Sequence, residues 1–132
     1  MDAVTRQSVR QRALDRCEYC HLPQSAQPFV TFQVEHLIAR QHGGTDHPDN
    51  VCLARERCNP AKGPNLSGRD PIMGSIERLF DPRHQEWREH FQFQGPVIVG
   101  LTPVGRATVD VLKMTDRRRV QLRADLQARG NI

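Results

Sequence analysis

Apolar and polar side chains alternate over residues 30–35, which is the pattern of a half-buried β-strand. Residues 51–53 predict a short return strand, and residues 42–50 between the two are turn-forming, with a Gly pair that is free to take positive φ. Residues 58–62 make one turn of helix at most, because Pro60 fits only a first helical turn. The pattern therefore predicts a strand–loop–strand–helix unit around a small cavity.

Weaker patterns flank this unit. Residues 2–16 predict a helix with a loose apolar stripe, and residues 64–82, with repeated Gly and Pro, predict a segment that wraps over the surface. A compact strand is predicted at residues 97–99. The following helix is capped by Thr102 and has Pro103 in its first turn.

The last predicted helix carries most of the excess charge. Asp116 is placed to cap it and Gly130 to end it. Residues 96–132 hold seven Lys and Arg against three Asp and Glu, in a chain whose net charge is +4. We expect these arginines to be exposed: Arg117, Arg118, Arg119, Arg123 and Arg129. An Arg-rich face suits phosphate oxygens, although a solvated basic helix is the commoner interpretation of such a segment alone.

Composition limits the size of the core. Hydrophobic residues make up 37% of 132 residues and mean hydropathy is −0.63, and small cores often need a metal or a partner for support. No apolar run approaches the roughly 20 residues that span a bilayer, so we expect no membrane association and a cytoplasmic protein. Because cytosolic thiols stay reduced, the four cysteines indicate metal binding rather than disulfides.

A C-x-x-C-H sequence occupies residues 17–21. Such a turn presents two thiolates to one ion, which is half of a zinc site. A c-type haem attachment has the same spacing but normally belongs to exported proteins, and a thioredoxin-like redox pair needs a long following helix, which Pro23 blocks. Structural zinc is the favoured interpretation, with further ligands expected from the strand–loop–strand–helix unit.

The end of the first predicted strand carries Glu35 and His36. Hydrolysis of a phosphodiester needs a base for the attacking water and a cation for the charge that develops on oxygen. His36 is the candidate base, and Glu35 and Asn59 offer the oxygen ligands that Mg²⁺ prefers. Because neighbouring residues on a regular strand point to opposite faces, the strand must bend or end here if both serve one centre.

Taken together, C-x-x-C, E-H, G-G…D-N and C-N-x-x-K-G resemble the HNH endonucleases of the ββα-metal group, over about residues 12–63. The K-G-P-N-x-x-G-x-D-P sequence that begins at Lys62 resembles one branch of stand-alone bacterial HNH proteins. The T-P-x-x-G-R-A-T run that begins at Thr102 resembles the same branch, which extends the likeness over most of the chain.

The resemblance implies a role for each polar residue of the unit. It makes His36 the general base, and it makes Glu35, where the family more often has Asp, a ligand of the catalytic Mg²⁺ or Mn²⁺. Asn59 is the second metal ligand. Asn50 fastens the loop between the strands and orients the base, and Lys62 contacts phosphate.

The zinc half departs from the family pattern. Zinc-bearing members have a second C-x-x-C that would require a cysteine at position 55, where this chain has Arg55. Cys17, Cys20 and Cys58 remain as three ligands of a structural Zn²⁺. The candidates for the fourth are Cys52, His21 and His47. The alternative is that zinc is lost and that Arg55 fills the gap.

These patterns predict an α+β protein with a small ββα-metal core and a zinc-knuckle-like C-x-x-C turn, flanked by an N-terminal helix and a C-terminal strand and helices. Residues 1–71 would form the HNH core with the first helix, and residues 72–132 an extension packed on it. The predicted function is metal-dependent cutting or nicking of DNA. The alternative is a non-catalytic, zinc-stabilised nucleic-acid-binding module. The sequence leaves the oligomeric state open.

Overall fold

Three two-stranded antiparallel hairpins and five α-helices follow one another in the computed structural model, which describes the backbone of all 132 residues and every side chain except that of Asn59. The helices are α1 (Ala3–Arg12), α2 (Cys58–Lys62), α3 (Trp87–His90), α4 (Pro103–Val111) and α5 (Arg117–Ala128). The strands are β1 (Gln33–His36), β2 (Val51–Ala54), β3 (Ser67–Arg69), β4 (Ile76–Arg78), β5 (Phe91–Gln94) and β6 (Val97–Gly100).

The β1–β2 hairpin and α2 form the predicted strand–loop–strand–helix unit. The strands pair antiparallel, with Glu35 opposite Cys52 and His36 opposite Val51. All four residues of β2 are buried, whereas β1 is only partly buried. Full burial accounts for the continuous apolar run of β2, but β1 does not follow its alternation, because its buried residue is Glu35 and Val34 is only half-buried.

Helix α1 is shorter than predicted at its C-terminal end. It begins as expected, with the Asp2 carboxylate accepting a hydrogen bond from the Thr5 amide at 2.7 Å. It ends at Arg12, and Leu14 and Asp15 then take positive φ values of 55° and 53°. Left-handed residues end a helix, and here they direct the chain into the C-x-x-C turn.

The β3–β4 hairpin lies where the sequence predicted a surface segment without strands. Each strand has only three residues, which is too short for alternation to be recognised. A Cβ atom at Gly68 would lie 2.4 Å from Val111 Cγ2, so glycine is what allows β3 to approach α4. The glycine that weakened the strand pattern is thus required by tertiary packing.

The third hairpin, β5–β6, contains the predicted strand at residues 97–99 and leads into α4. The Thr102 hydroxyl accepts a hydrogen bond from the Gly105 amide at 3.0 Å, which confirms the predicted cap. A Cβ atom at Gly105 would lie 2.0 Å from the His90 carbonyl oxygen, so α4 packs closely on the end of α3. The fold class is confirmed as α+β.

Helix α5 corrects the prediction that its arginines are all exposed. Arg119 and Arg123 share one buried face with Leu126, at i, i+4 and i+7. Arg119 donates to the carbonyl oxygen of Leu112, and Arg123 donates to that of Met114, so both guanidinium groups satisfy carbonyls just after α4. The arginines that stay exposed are Arg117, Arg118 and Arg129.

The segment after residue 71 contacts the first part of the chain at several points. Trp87 Nε1 donates to the Tyr19 carbonyl oxygen at 2.7 Å, and Arg106 makes two hydrogen bonds to the buried Asp70 carboxylate, at 2.9 and 2.8 Å. The division into residues 1–71 and 72–132 stays a prediction. Among the helices of the structure, none is long and apolar enough to cross a membrane.

Candidate active site and thiol cluster

The loop between β1 and β2 is held by Asn50. Its side-chain oxygen accepts from the Ile38 amide at 2.9 Å, and its side-chain nitrogen donates to the carbonyl oxygens of Ile38 at 3.0 Å and Thr45 at 2.8 Å. One amide group therefore uses both its donor and its acceptor to join the two ends of the loop. The residues in between, including Gly43 with a φ of 85°, form a defined turn at the end of β1.

His36 ends β1 and is held by Asp46 of this loop, which Arg40 contacts in turn. Its Nε2 atom lies 2.8 Å from Asp46 Oδ1, and the same oxygen accepts from Arg40 Nη2 at 2.8 Å. The hydrogen bond from His36, together with the charge of Arg40, lowers the pKa of Asp46. Asp46 is therefore an anion that fixes the ring orientation and leaves Nδ1 of His36 as the nitrogen without this partner.

Glu35, one residue earlier, lies in a different environment. Its carboxylate is buried, with 5% of the residue exposed, and Lys62 Nζ lies 3.5 Å from Oε1. Its other oxygen, Oε2, is buried without a hydrogen-bond partner. Burial raises the pKa of Glu35 to about 7, although Lys62 acts in the opposite direction.

Lys62 lies buried beside Glu35. Only 2% of the residue is exposed, and its ammonium contacts the carbonyl oxygens of His36 at 3.3 Å and Leu37 at 3.2 Å as well as Glu35. In this arrangement the ammonium of Lys62 faces Glu35 and the two carbonyl oxygens, and its contact with phosphate stays a prediction. The ammonium faces Glu35 because a buried carboxylate needs a nearby cation, and Lys62 is on the adjoining turn of α2.

The structure thus places the predicted residues in two separate pairs: Glu35 lies with Lys62, and His36 lies with Asp46, which was not predicted. Strand pairing stays regular up to His36, so the side chains of Glu35 and His36 leave β1 in different directions, as alternation requires. The side chain of Asn59 lies outside the described residues, so the predicted second metal ligand has no described position.

Three cysteines form a cluster at the other end of α2. The sulfur atoms of Cys17, Cys20 and Cys58 all lie within 4.8 Å of one another, and all three residues are buried. Burial raises the pKa of the Cys17 thiol to about 12. For Cys20 burial acts in the same direction, but hydrogen bonds from the other two thiols, and the nearby arginines Arg119 and Arg55, bring its pKa well below the usual value. One thiolate within the cluster is therefore stabilised by its neighbours.

Arginines surround this thiol cluster. Arg119 Nη2 donates to Cys58 Sγ at 2.8 Å, and Arg55, at the position where a fourth cysteine was sought, is 2% exposed. The Nη1 atom of Arg55 is buried without a hydrogen-bond partner. The cations compensate the negative charge that three buried thiols acquire when they ionise or bind a metal.

The candidates for the fourth thiol-cluster ligand lie elsewhere. Cys52 is on β2 opposite Glu35, and burial raises its pKa well above the usual value. The ring of His21 stacks on that of Trp87, with centroids 4.0 Å apart, and burial lowers its pKa to about 4. His47 accepts a hydrogen bond from the Asp49 amide at 3.1 Å. Among the described side chains, the metal-binding group thus consists of three cysteines.

Two basic cavities lie near these sites. A cavity of about 420 Å³ contains His36 together with Arg6, Arg10 and Arg40. A second, of about 590 Å³, lies between α2 and the start of α5, and its basic lining residues are Arg57, Lys113, Arg117, Arg118 and Arg119. Both cavities present guanidinium groups, which bind phosphate oxygens well.

Comparison with protein families decides what this arrangement is. Residues 17–65 match the family model of the HNH endonucleases. This segment is an HNH domain. No curated protein and no solved structure matches the chain significantly. The HNH domain indicates a nuclease-family function and a nucleic-acid substrate, and nucleases of this family use divalent metals.

The donor set of the HNH domain fits a hard divalent ion and, in part, zinc. At the hairpin, the unpartnered Oε2 of Glu35 and the carbonyl oxygens of His36 and Leu37 are the oxygen ligands that a hard dication prefers. At the other end of α2, three thiols within 4.8 Å suit zinc, which binds sulfur readily. The second fit is incomplete, because a structural zinc site normally has four protein ligands.

Two residues were not found by sequence reasoning. Asp46 lies in the loop of the HNH domain and was counted only as a turn residue, and nothing in its spacing from His36 distinguishes it from Asp49. Arg119 was predicted to be exposed. Its spacing from Arg123 and Leu126 is a helical face, and that signal could have indicated burial.

Proposed function

We propose that this protein is a metal-dependent endonuclease that hydrolyses phosphodiester bonds in DNA, by nicking or cutting. The observation that supports the proposal best is the imidazole of His36, held by Asp46 at 2.8 Å within the HNH domain. A general base must keep one nitrogen free and the ring in a fixed orientation. A carboxylate partner alone does not distinguish His36, since His84 Nδ1 lies 2.7 Å from Asp81 Oδ2; its position at the end of β1 in the HNH domain does.

In this proposal His36 takes the proton from the attacking water through Nδ1, while Asp46 holds the proton on Nε2 and balances the charge of the imidazolium that forms. Asn50 keeps Asp46 in place, because its hydrogen bonds fix the loop that carries the carboxylate. The role is that of a positioning residue.

Glu35 and Asn59 hold the divalent cation in this proposal, Mg²⁺ or Mn²⁺. When bound, the cation stabilises the negative charge that develops on the phosphate oxygens. Glu35 brings a buried carboxylate with one free oxygen to this task. Zn²⁺, if present, is held by the thiol cluster and supports the fold rather than the reaction.

The two basic cavities are the proposed contacts to the DNA backbone. Arg6 and Arg40 flank His36, and Arg57, Lys113 and Arg117 lie around α2 on the second cavity. Such contacts are independent of base sequence, so we expect weak sequence preference and binding that weakens steeply with salt. Arg123 lines neither cavity, and Arg119, although it lines the second, is buried and donates to Cys58 and Leu112, so neither is assigned a phosphate contact.

A plasmid-nicking assay tests the proposal. Wild-type protein with Mg²⁺ or Mn²⁺ should convert supercoiled plasmid to the open-circular form, and His36→Ala should be slower by a factor of about 10²–10⁴. His42→Ala is the matched control, because His42 is an exposed imidazole in the same loop. Equal activity of His36→Ala and wild type would remove the assigned base.

The second candidate, a non-catalytic nucleic-acid-binding module, is favoured by one observation: Lys62 already neutralises Glu35 inside the fold. Such a module would bind DNA with the same salt dependence but would need no divalent ion. Absence of nicking by wild-type protein at any Mg²⁺ or Mn²⁺ concentration, with DNA binding unchanged by chelator, would support it.

A further inference from the structure

Lys62 and a divalent cation would both use the Glu35 carboxylate, the ammonium through Oε1 and the ion through the unpartnered Oε2, and both would use the carbonyl oxygens beside it. The ammonium group contacts Glu35 Oε1 at 3.5 Å and the carbonyl oxygens of His36 and Leu37 at 3.3 and 3.2 Å. A carboxylate and two backbone carbonyls are also what a Mg²⁺ or Mn²⁺ ion would take from this part of the chain. The ammonium is therefore surrounded by oxygens in the manner of a bound cation.

We infer that Lys62 is an internal counter-cation of the metal site, and that a divalent ion binds only by displacing its ammonium from Glu35. This inference rests on the proposed function. In the metal-free protein Lys62 occupies the place of the ion. In the metal-bound protein its side chain moves away.

The burial of Glu35 and Lys62 supports the inference that the ammonium and the divalent ion do not bind the carboxylate at the same time. Glu35 and Lys62 are both buried, and within the described structure Lys62 is the ion-pair partner that Glu35 has. A buried carboxylate is costly without a cation, which explains why the metal-free site holds one. Two cations on the same carboxylate would repel each other strongly in so poorly solvated a place, so one must leave when the other enters.

The position of Lys62 in the chain makes the movement feasible. It is the last residue of α2, which has only five residues, and Gly63 follows with a φ of 52°. Its ammonium sits on a flexible four-carbon stem. The displacement therefore involves one flexible side chain at the end of a short helix.

The consequence is a measurable penalty on metal affinity. If the displaced state of Lys62 is populated at about 10% or less without metal, the apparent Kd is raised by about tenfold or more. Removing the ammonium should remove this penalty. The expected effect is thus the opposite of what the loss of a phosphate-binding or structural lysine would produce.

Titration of the metal-free full chain with Mn²⁺, followed by electron paramagnetic resonance in the absence of DNA, tests the inference. Lys62→Met should lower the Mn²⁺ Kd by about tenfold or more. Lys113→Met is the matched control, because Lys113 is exposed and is the other lysine of the chain, and it should leave the Kd unchanged. An unchanged or higher Kd in Lys62→Met overturns the inference.

The Glu35→Gln variant distinguishes failure of the inferred competition from failure of the proposed function. If Glu35→Gln weakens Mn²⁺ binding but Lys62→Met does not tighten it, Glu35 is a metal ligand and only the competition is wrong. If Mn²⁺ binds to none of the proteins, both the competition and the metal-dependent function are wrong.

A measurement on wild-type protein covers the case in which Lys62→Met does not fold. Reductive methylation followed by mass spectrometry should label Lys113 quickly under all conditions and Lys62 slowly in chelator, because only Lys62 is buried. Saturating Mn²⁺ should accelerate labelling of Lys62 by about tenfold or more, since it releases the ammonium. Protection of Lys62 that stays the same or increases with Mn²⁺ overturns the inference.

Discussion

The two ends of helix α2 hold two buried charged sites of opposite design. Cys58, its first residue, belongs to the thiol cluster, and Lys62, its last, contacts Glu35. At the first end the cation comes from Arg119, 61 residues further along the chain. At the second it comes from α2 itself, and one oxygen of Glu35 is left without a partner.

The difference lies in where the compensating cation comes from, and in the proposed function only the Glu35 site takes part in the reaction. In the thiol cluster, a distant helix supplies a guanidinium whose other hydrogen bond goes to Leu112, so α5 is fastened to the core. At Glu35, the Oε2 atom has no hydrogen-bond partner, and in the proposed function this oxygen binds the dication. Buried atoms without a hydrogen-bond partner occur at both ends, Oε2 of Glu35 at one and Nη1 of Arg55 and Nε of Arg119 at the other, so the origin of the cation is what differs.

The largest expected effect is at the thiol cluster, where α2 begins. Arg119→Leu removes the donor to both Cys58 and the Leu112 carbonyl, and losing one partner of a buried charged contact should lower the free energy of unfolding by about 3–5 kcal/mol. Arg117→Leu, on the exposed face of the same helix, should change it by about 0.5 kcal/mol or less. Urea denaturation followed by circular dichroism measures both. Similar losses in the two variants would mean that Arg119 does not fasten α5.

At the other end of α2, Glu35 should make the free energy of unfolding of the metal-free protein depend on pH. Its pKa is about 7 in the folded protein and near 4.5 otherwise, so its favourable contribution is complete below about pH 4 and is lost as pH rises through 7. At about 1.4 kcal/mol per pKa unit, the loss is about 3 kcal/mol.

Comparison with Glu35→Gln isolates this term. The comparison is needed because burial lowers the pKa of His21 to about 4, which changes stability in the opposite sense: that contribution is present above about pH 6.5 and is lost as pH falls through 4. In chelator, wild type should lose stability relative to Glu35→Gln between pH 4 and 8. A constant difference between the two proteins would contradict the prediction.

The third prediction concerns the zinc affinity of the thiol cluster when a fourth cysteine is supplied. Arg55→Cys replaces a buried arginine whose charge acts on Cys20 with a fourth thiol, and should tighten Zn²⁺ binding by at least about tenfold, or about 1.4 kcal/mol. Competition with a chromophoric chelator measures the affinity. Arg57→Cys adds a thiol at an exposed position two residues away and should have no such effect. Equal affinities in the two variants would place Arg55 away from the metal position.

The smallest expected effect concerns the loop that joins β1 and β2. Asn50→Ala removes three hydrogen bonds from a partly exposed loop and should cost about 1 kcal/mol of stability. The Ile38 amide should exchange its hydrogen faster, because it loses its acceptor. Asp49→Ala, a change at an exposed neighbour, is the control. Unchanged protection of Ile38 would show that Asn50 does not hold the loop.

Local chemistry made much of the fold predictable. Alternation located β1, and the Thr102 cap and Pro103 located α4, because these signals depend on residues a few positions apart. The β3–β4 hairpin was missed, since its three-residue strands contain Gly68, whose purpose is to admit α4. The arginines of α5 were misjudged because charge outweighed spacing in the prediction, whereas their helical face decided their burial.

For the candidate site, too, some features were predictable from the sequence and others were decided by tertiary packing. Pattern and spacing identified the C-x-x-C turn and selected Glu35 and His36, and the resemblance to the HNH family added Cys58 and Asn50, because motifs of this kind lie within one short stretch of chain. Only the tertiary structure decided which charges meet: Asp46 with His36, Lys62 with Glu35, and Arg119 with Cys58. The reason is that a buried charge takes whichever opposite charge the packed elements bring within a few ångströms, and a linear sequence does not contain that distance.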